Sequence, residues 1–293
     1  MPKISPVPIP SRRHGEEAPD EPPKSWSTRR ANNGEDEKRL IASYCAAHDF
    51  LVRPGCSPET DDRDTVASVL VNQGTTPNVV VEEALAWISA NSTGTSFDIT
   101  WFTTGSLVPS TLRQFRLRNP KNAAAAQVFL FPGRVDHEIE AVSGPEPVDF
   151  AAKLNRCFSY AFLSAYTFDI ERGSFYFHYS SEIELQKQLA CLFAAQKFVF
   201  LDPSKFRAEG GYSYGIWDLL RTSEVVTIYT VSSSADPWIK ARFKTLCDTL
   251  FYGCDGDIQD RDTLPVTKTL RLRVVGRDEP TDHIQVQGKL RER

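Results

Sequence analysis

Residues 66–90 read VASVLVNQGTTPNVVVEEALAWISA, and this stretch decides the fold. VASVLV (66–71) is apolar without alternation, so both faces of the strand it predicts are buried. Strands of that kind belong to parallel sheets covered by helices on both sides. NVVVEEALAWISA (78–90) predicts a helix that returns the chain across one of those faces. Between them lies a polar turn holding Asn72, Gln73, Gly74, Thr75 and Thr76, with Pro77 suited to the first helical position because its missing N–H would be unpaired there. Two roles fit this turn. Thr75 or Thr76 could simply cap the helix. Alternatively, Gly74 permits close backbone approach, and the helix aims its unpaired N–H groups and positive end at an anion.

The same strand–turn–helix unit recurs along the chain. Strands are predicted at FDITWF (97–102), QVFLF (127–131), YAFLSA (160–165), KFVFL (197–201) and VVTIYTV (225–231). Helices are predicted at 37–52, where Leu40, Ile41, Tyr44, Cys45 and His48 share a face, and at 106–115, 147–158, 181–196 and 235–253. Ser181 and Glu184 have capping-box spacing. The alternation implies an α/β fold of three layers, a mainly parallel sheet with helices on both faces. Ligands of such sheets bind beyond the carboxyl ends of the strands. Loops 72–77, 103–106, 132–144, 165–180 and 202–211 are therefore the ones to read for chemistry.

Composition narrows the classes. The 293 residues are 41% hydrophobic, enough for a sizeable core, and a formal net charge of −4 gives no global field for nucleic acid. Six scattered cysteines without C-x-x-C pairs read as reduced thiols of a cytoplasmic protein, and no cofactor or metal site is expected. No apolar run approaches the roughly 20 residues of a membrane span, and the N-terminus does not read as a signal peptide. Seven of the 19 prolines fall within residues 1–23, so 1–36 read as a disordered arm, with Arg29 and Arg30 solvated. Residues 37–253 form the folded domain, and 254–293 a charged tail in which TLRLRVV (269–275) is an edge-strand candidate with its arginines facing water. The acidic cluster Asp255, Asp257, Asp260 and Asp262 lacks calcium-loop spacing.

Other strand-end loops repeat the small and hydroxylated chemistry of the first. Thr104, Gly105 and Ser106 follow one strand, and Gly133 with Arg134 follows the next. The planar Arg134 fork suits phosphate or carboxylate, or a surface ion pair. LDPSKF (201–206) places Asp202 and Lys205 at a further strand end, where they could hold a sugar hydroxyl and a phosphate or pair with each other. GYSYG (211–215) matches G-x-S-x-G, but a loop precedes it, so Ser213 lacks the elbow of a nucleophile. In FHYSSEIELQK, Glu184 and Lys187 are one turn apart and read as an ion pair; acid–base work with His178 and Glu182 would require that face to meet the pocket.

Taken in order, GTT (74–76), TTGS (103–106), PGR (132–134), SG (143–144), AFLSAYTFDIERG (161–173), SSEIELQK (180–187), DPSKF (202–206) and IYT (228–230) resemble the C-terminal effector-binding domain of DeoR-type bacterial transcription regulators. The resemblance covers roughly residues 38–253, and DPSKF is its most specific part. It implies a fold similar to ribose-5-phosphate isomerases, glucosamine-6-phosphate deaminases and CoA transferases. It also implies a phosphorylated sugar as ligand, a homo-oligomer and regulation through oligomerisation or a protein partner. On it, Gly74, Thr75 and Thr76 hold phosphate, Thr104, Gly105, Ser106, Gly133 and Arg134 line the pocket, and Lys187, Asp202 and Lys205 complete it. Asn72 and Gln73 stand where the family commonly has an acidic residue, so specificity is expected to differ there. Only the Pro-rich arm stands where the family's winged helix-turn-helix would be, so autonomous specific DNA binding is not expected. A sugar-phosphate isomerase or deaminase, and an interaction module with a vestigial pocket, are the alternatives.

Overall fold

The computed structural model describes residues 34–51, 67–91, 97–136, 141–154, 157–177, 180–233, 236–252, 267–276 and 281–291. The Pro-rich arm, with Arg29 and Arg30, His178 and the Asp255–Asp262 cluster lie outside them, as do the side chains of Glu182 and Glu184.

The predicted three-layer α/β fold is what the chain adopts. The units run β1 (Ala67–Val71), α2 (Thr75–Asn91), β2 (Ile99–Thr103), α3 (Leu107–Arg118) and β3 (Gln127–Leu130), preceded by α1 (Glu35–Cys45). They continue with a hairpin, β4 (Arg134–Asp136) and β5 (Ala141–Ser143), then α4 (Pro145–Lys153), β6 (Phe158–Ser164), β7 (Thr167–Asp169), β8 (Ser174–Phe177) and α5 (Ser180–Cys191). The rest is β9 (Ala194–Phe200), β10 (Tyr212–Gly215), α6 (Ile216–Arg221), β11 (Val225–Val231), α7 (Asp236–Leu250), β12 (Phe251–Tyr252), β13 (Lys268–Val275) and β14 (Asp282–Leu290).

Among the described residues the main sheet has the order β12-β14-β13-β11-β9-β6-β1-β2-β3, and β13 through β3 are parallel neighbours. Successive residues point to opposite faces. Val199 and Leu201 join a core with Leu189 of α5, Leu219 of α6 and Phe243 of α7. Phe198 and Phe200 join another with Ile41 of α1, Val80 of α2 and Leu112 of α3. From β1 the chain steps outward through β2 and β3, then returns to the other side of β1 with β6 and continues to β9 and β11. The order reverses between β1 and β6, which opens a crevice at their carboxyl ends.

Several boundaries move. α2 begins at Thr75, so Pro77 is the third helical residue, still within the first turn where N–H groups have no intrahelical partner. The helix predicted at 147–158 spans Pro145–Lys153, and that at 181–196 stops at Cys191. Residues 269–275 are not an edge strand. β13 lies between β11 and β14, and Arg273 Nη2 donates to Asp49 Oδ1 at 3.2 Å. Asp49 sits in a single π-helical turn, Ala46–Phe50, that extends α1 and turns both Asp49 and Phe50 inward. Its other carboxylate oxygen accepts from Tyr229 Oη at 2.8 Å. Loop 165–180 contains two strands, β7 and β8, which form a small antiparallel sheet with β10. Ser213 pairs with Tyr176 inside it, in a strand rather than at an elbow.

Candidate functional site

The site grows from β1. Its apolar residues carry the chain to the switch point, and Asn72, the next residue, ties itself to β6 through N–H donation to Phe162 O at 3.0 Å. Gly74 then turns with φ of 145°, a conformation L side chains rarely adopt. A β-carbon there would stand 3.3 Å from Pro77 Cδ and 3.6 Å from Ser164 Cβ. The turn is thus pressed against the end of β6, with the N-terminus of the 17-residue α2 directly after it.

Ser164 is the hinge of the arrangement. Its hydroxyl accepts from Lys205 Nζ at 3.1 Å, and its carbonyl accepts from Asn72 Nδ2 at 3.4 Å. Lys205 is held in place by the short 3-10 turn Pro203–Lys205. Asp202 caps that turn, its Oδ1 accepting from Ser204 N at 3.1 Å and from the Ser204 hydroxyl, while its Oδ2 lies 3.9 Å from Lys205 Nζ. Burial lowers the Lys205 ammonium below its ordinary range; Asp202 opposes the drop and the charge of Lys38 adds to it. Lys38 lies on the inward stripe of α1 with Ile41, Ala42 and Cys45. The Lys205 ammonium and the N-terminus of α2 therefore share one end of the sheet. Asp202 is the carboxylate beside Lys205, and the helix N-terminus adds positive potential next to this pair.

Beside this cationic pole lies a neutral one. Asn72 Nδ2 donates to Gln186 Oε1 at 2.7 Å, Gln186 Nε2 to Gln73 Oε1 at 2.7 Å, and Thr104 Oγ1 to Gln73 Oε1 at 3.1 Å. All four side chains are buried. Asn72 Oδ1 is buried without a hydrogen-bond partner, a costly state for an amide oxygen. Gly105 completes the floor: a β-carbon there would meet the Gln73 Cα at 3.3 Å, so a larger residue would press on the turn.

Of the residues singled out in the sequence, Asn72, Gln73, Gly74, Thr104, Gly105, Asp202 and Lys205 are brought together, and Thr75 and Thr76 open the adjoining helix. Ser106 is exposed at the start of α3. Arg134 is exposed on β4, and Gly133 packs towards Pro147 and Ser143 rather than towards Gly74. Lys187 is exposed on α5, and the neighbouring Gln186 is the residue that enters the site. Lys38, Ser164 and Gln186 were not foreseen. The signal for Lys38 was its place three and four residues before Ile41 and Ala42 on the buried stripe of α1.

No helix among the described residues is long and apolar enough to cross a membrane, and no group of three or more His, Cys, Asp or Glu among them could hold a metal ion. Cys45, Cys157, Cys191 and Cys247 form no disulfide.

No family model matches the sequence, and no curated protein does. Ribose 5-phosphate isomerase A from Methanocaldococcus jannaschii superposes with a TM-score of 0.36 at 12% identity, over 60% of this chain and 56% of that one. A 6-phosphogluconolactonase from Shewanella baltica OS155 gives a TM-score of 0.32 at 13% identity, over 72% of this chain and 81% of that one. This chain thus matches little more than half the length of the isomerase, and at these identities the likeness is one of chain path.

Proposed function

We propose that the chain is a DeoR-like effector-binding domain. It holds a phosphorylated sugar or similar anionic metabolite at the β1–β6 switch point, and it acts through oligomerisation or a protein partner. The observation that carries this reading is the meeting of the Gly74 turn and the α2 N-terminus with Ser164 and Lys205. The phosphate would accept from the α2 amides and the Thr75 and Thr76 hydroxyls, and its charge would compensate Lys205. The neutral amide cluster beside it supports recognition of hydroxyls rather than acid–base chemistry, which needs a titrating group at the reacting carbon.

A thermal-shift series with ribose 5-phosphate, glucosamine 6-phosphate and inorganic phosphate tests it. At a ligand concentration tenfold above Kd, linkage contributes about 1.4 kcal/mol, which raises Tm by roughly 2–4 °C for a chain of this size. The shift is expected to vanish in Lys205→Ala. Absence of any shift with all three would overturn the proposal. Turnover of either sugar phosphate, lost in Asp202→Ala, would replace it with an isomerase or deaminase reading.

A further inference from the structure

We infer that the free edge of β3 docks an acidic, extended segment of a protein partner, which adds to the main sheet as a further strand. The inference does not rest on the strand-end anion site; it concerns a different surface. β3 pairs with β2 on one side, and among the described residues no strand lies on its other side. Its sequence, QVFL, suits an interior strand, apolar on both faces like β1. Yet all four residues are exposed, Val128 by 38%, Phe129 by 53% and Leu130 by 44%. Register with β2 puts Val128 and Leu130 on the face of Trp101, which α3 covers. Phe129 is on the opposite face, stacked on Phe102 with ring centroids 5.5 Å apart. The edge therefore offers unpaired backbone groups between apolar side chains, which is what strand addition uses.

The exposed apolar surface is concentrated here. Of the large hydrophobic residues exposed among the described ones, Leu117, Val128, Phe129, Leu130 and Val135 fall within residues 117–135. The opposite edge of the sheet is built differently. β14 alternates apolar with polar residues, β12 covers its end, and exposed Tyr252 lies beneath the Arg291 guanidinium at 4.8 Å. β3 carries neither a charge nor a proline to discourage pairing. Charge selects the partner. Residues 107–136 hold Arg113, Arg116, Arg118, Lys121 and Arg134 against one acid, Asp136, within a chain whose formal net charge is −4. All five cations are exposed. Elsewhere Arg39, Arg207, Arg242 and Arg273 each meet a carboxylate, whereas these five have no ion-pair partner among the described residues. A second copy related by a two-fold axis would bring the same cations towards one another. A segment that alternates apolar residues with Asp or Glu pairs with the edge and compensates the charge.

A labelled, capped peptide of alternating Glu and Val, titrated with the full chain and read by fluorescence anisotropy, tests the inference. It is expected to bind at least about tenfold tighter than its Lys–Val counterpart and to weaken as salt rises. The Glu–Val peptide with its backbone nitrogens methylated keeps its charge but cannot donate to a sheet, and should not bind. Amide hydrogen exchange should slow in residues 127–130 and stay unchanged in residues 72–76. Reversing two exposed charges, Arg116→Glu with Arg118→Glu, should weaken the Glu–Val peptide by about tenfold. Phe129→Thr, which keeps the preference for strand, should weaken it similarly. Absence of binding, binding that survives methylation, or protection in another segment overturns the inference. A dimer seen by light scattering and lost in Leu130→Lys also overturns it, since the edge then belongs to a second copy. So does an oligothymidylate that protects residues 127–130 where the peptide does not. The phosphate thermal-shift series reads the anion site separately, so either reading can fail alone.

Discussion

Replacing Lys197 by methionine should make the protein more stable at neutral pH. Lys197 lies within β9, fully buried, and its Nζ donates to Ala190 O at 2.7 Å, Thr222 Oγ1 at 2.5 Å and Leu219 O at 3.4 Å. Burial lowers its ammonium from the ordinary 10.5 to about 7. The unfolded chain therefore binds more protons than the folded one between these values, and stability rises with pH across that window. At 1.36 kcal/mol per pH unit the full span is about 5 kcal/mol, of which about 4 kcal/mol is still to be gained at pH 7 and about 2 kcal/mol is gained between pH 7 and 9. Methionine has similar length and no charge. It orphans neither carbonyl, because Ala190 O also accepts from Thr222 Oγ1 at 2.8 Å and Leu219 O from Ser223 Oγ at 2.7 Å. Allowing about 1–2 kcal/mol for the lost hydrogen bonds, Lys197→Met should gain about 2 kcal/mol at pH 7. Urea titrations at pH 6, 7, 8 and 9 would show the variant ahead at pH 7 and the gap closing by pH 9. A variant less stable by the same amount at every pH would refute the reasoning. It would mean that the three acceptors hold the ammonium charged and outweigh burial.

Asp49→Ala leaves Arg273 without its carboxylate and Tyr229 Oη without its acceptor, and should cost about 3–4 kcal/mol in a chemical denaturation curve. His283 on β14 touches the Arg273 guanidinium and lies 3.4 Å from Tyr44 Oη. Burial, aided by Arg273, lowers its pKa below 6.5, so its contribution is present above about pH 6.5 and is lost as pH falls through the folded value. His283→Gln should therefore lose less stability than wild type between pH 7 and 5, read as Tm against pH.

The fold was legible because its strands are continuous apolar runs, and no other sheet type hides both faces of VASVLV and VVTIYTV. The turn at Asn72–Thr76 was legible for the same local reason. What escaped depended on long-range placement. One residue along a helix rotates a side chain by about 100°, and that step separates exposed Lys187 from buried Gln186. Charge drew the reading to the lysine, while packing chose the amide. In β13 the alternating arginines mimic a solvent face, yet Arg273 meets Asp49, more than two hundred residues earlier in the chain. β7, β8 and β10 are short, and their pairings, such as Ser213 with Tyr176, exist only once the main sheet has brought them together.

The Asp49–Arg273 pair also sets the order of events in synthesis. α1 emerges early, but the strand that neutralises its buried carboxylate follows more than two hundred residues later. Until β13 is released, β11 keeps an open edge and α1 an uncompensated charge, so a nascent chain stalled before residue 268 cannot complete its native sheet. The native sheet therefore closes through pairings far apart in sequence, and such pairings slow folding. During that interval β11 presents an unpaired edge.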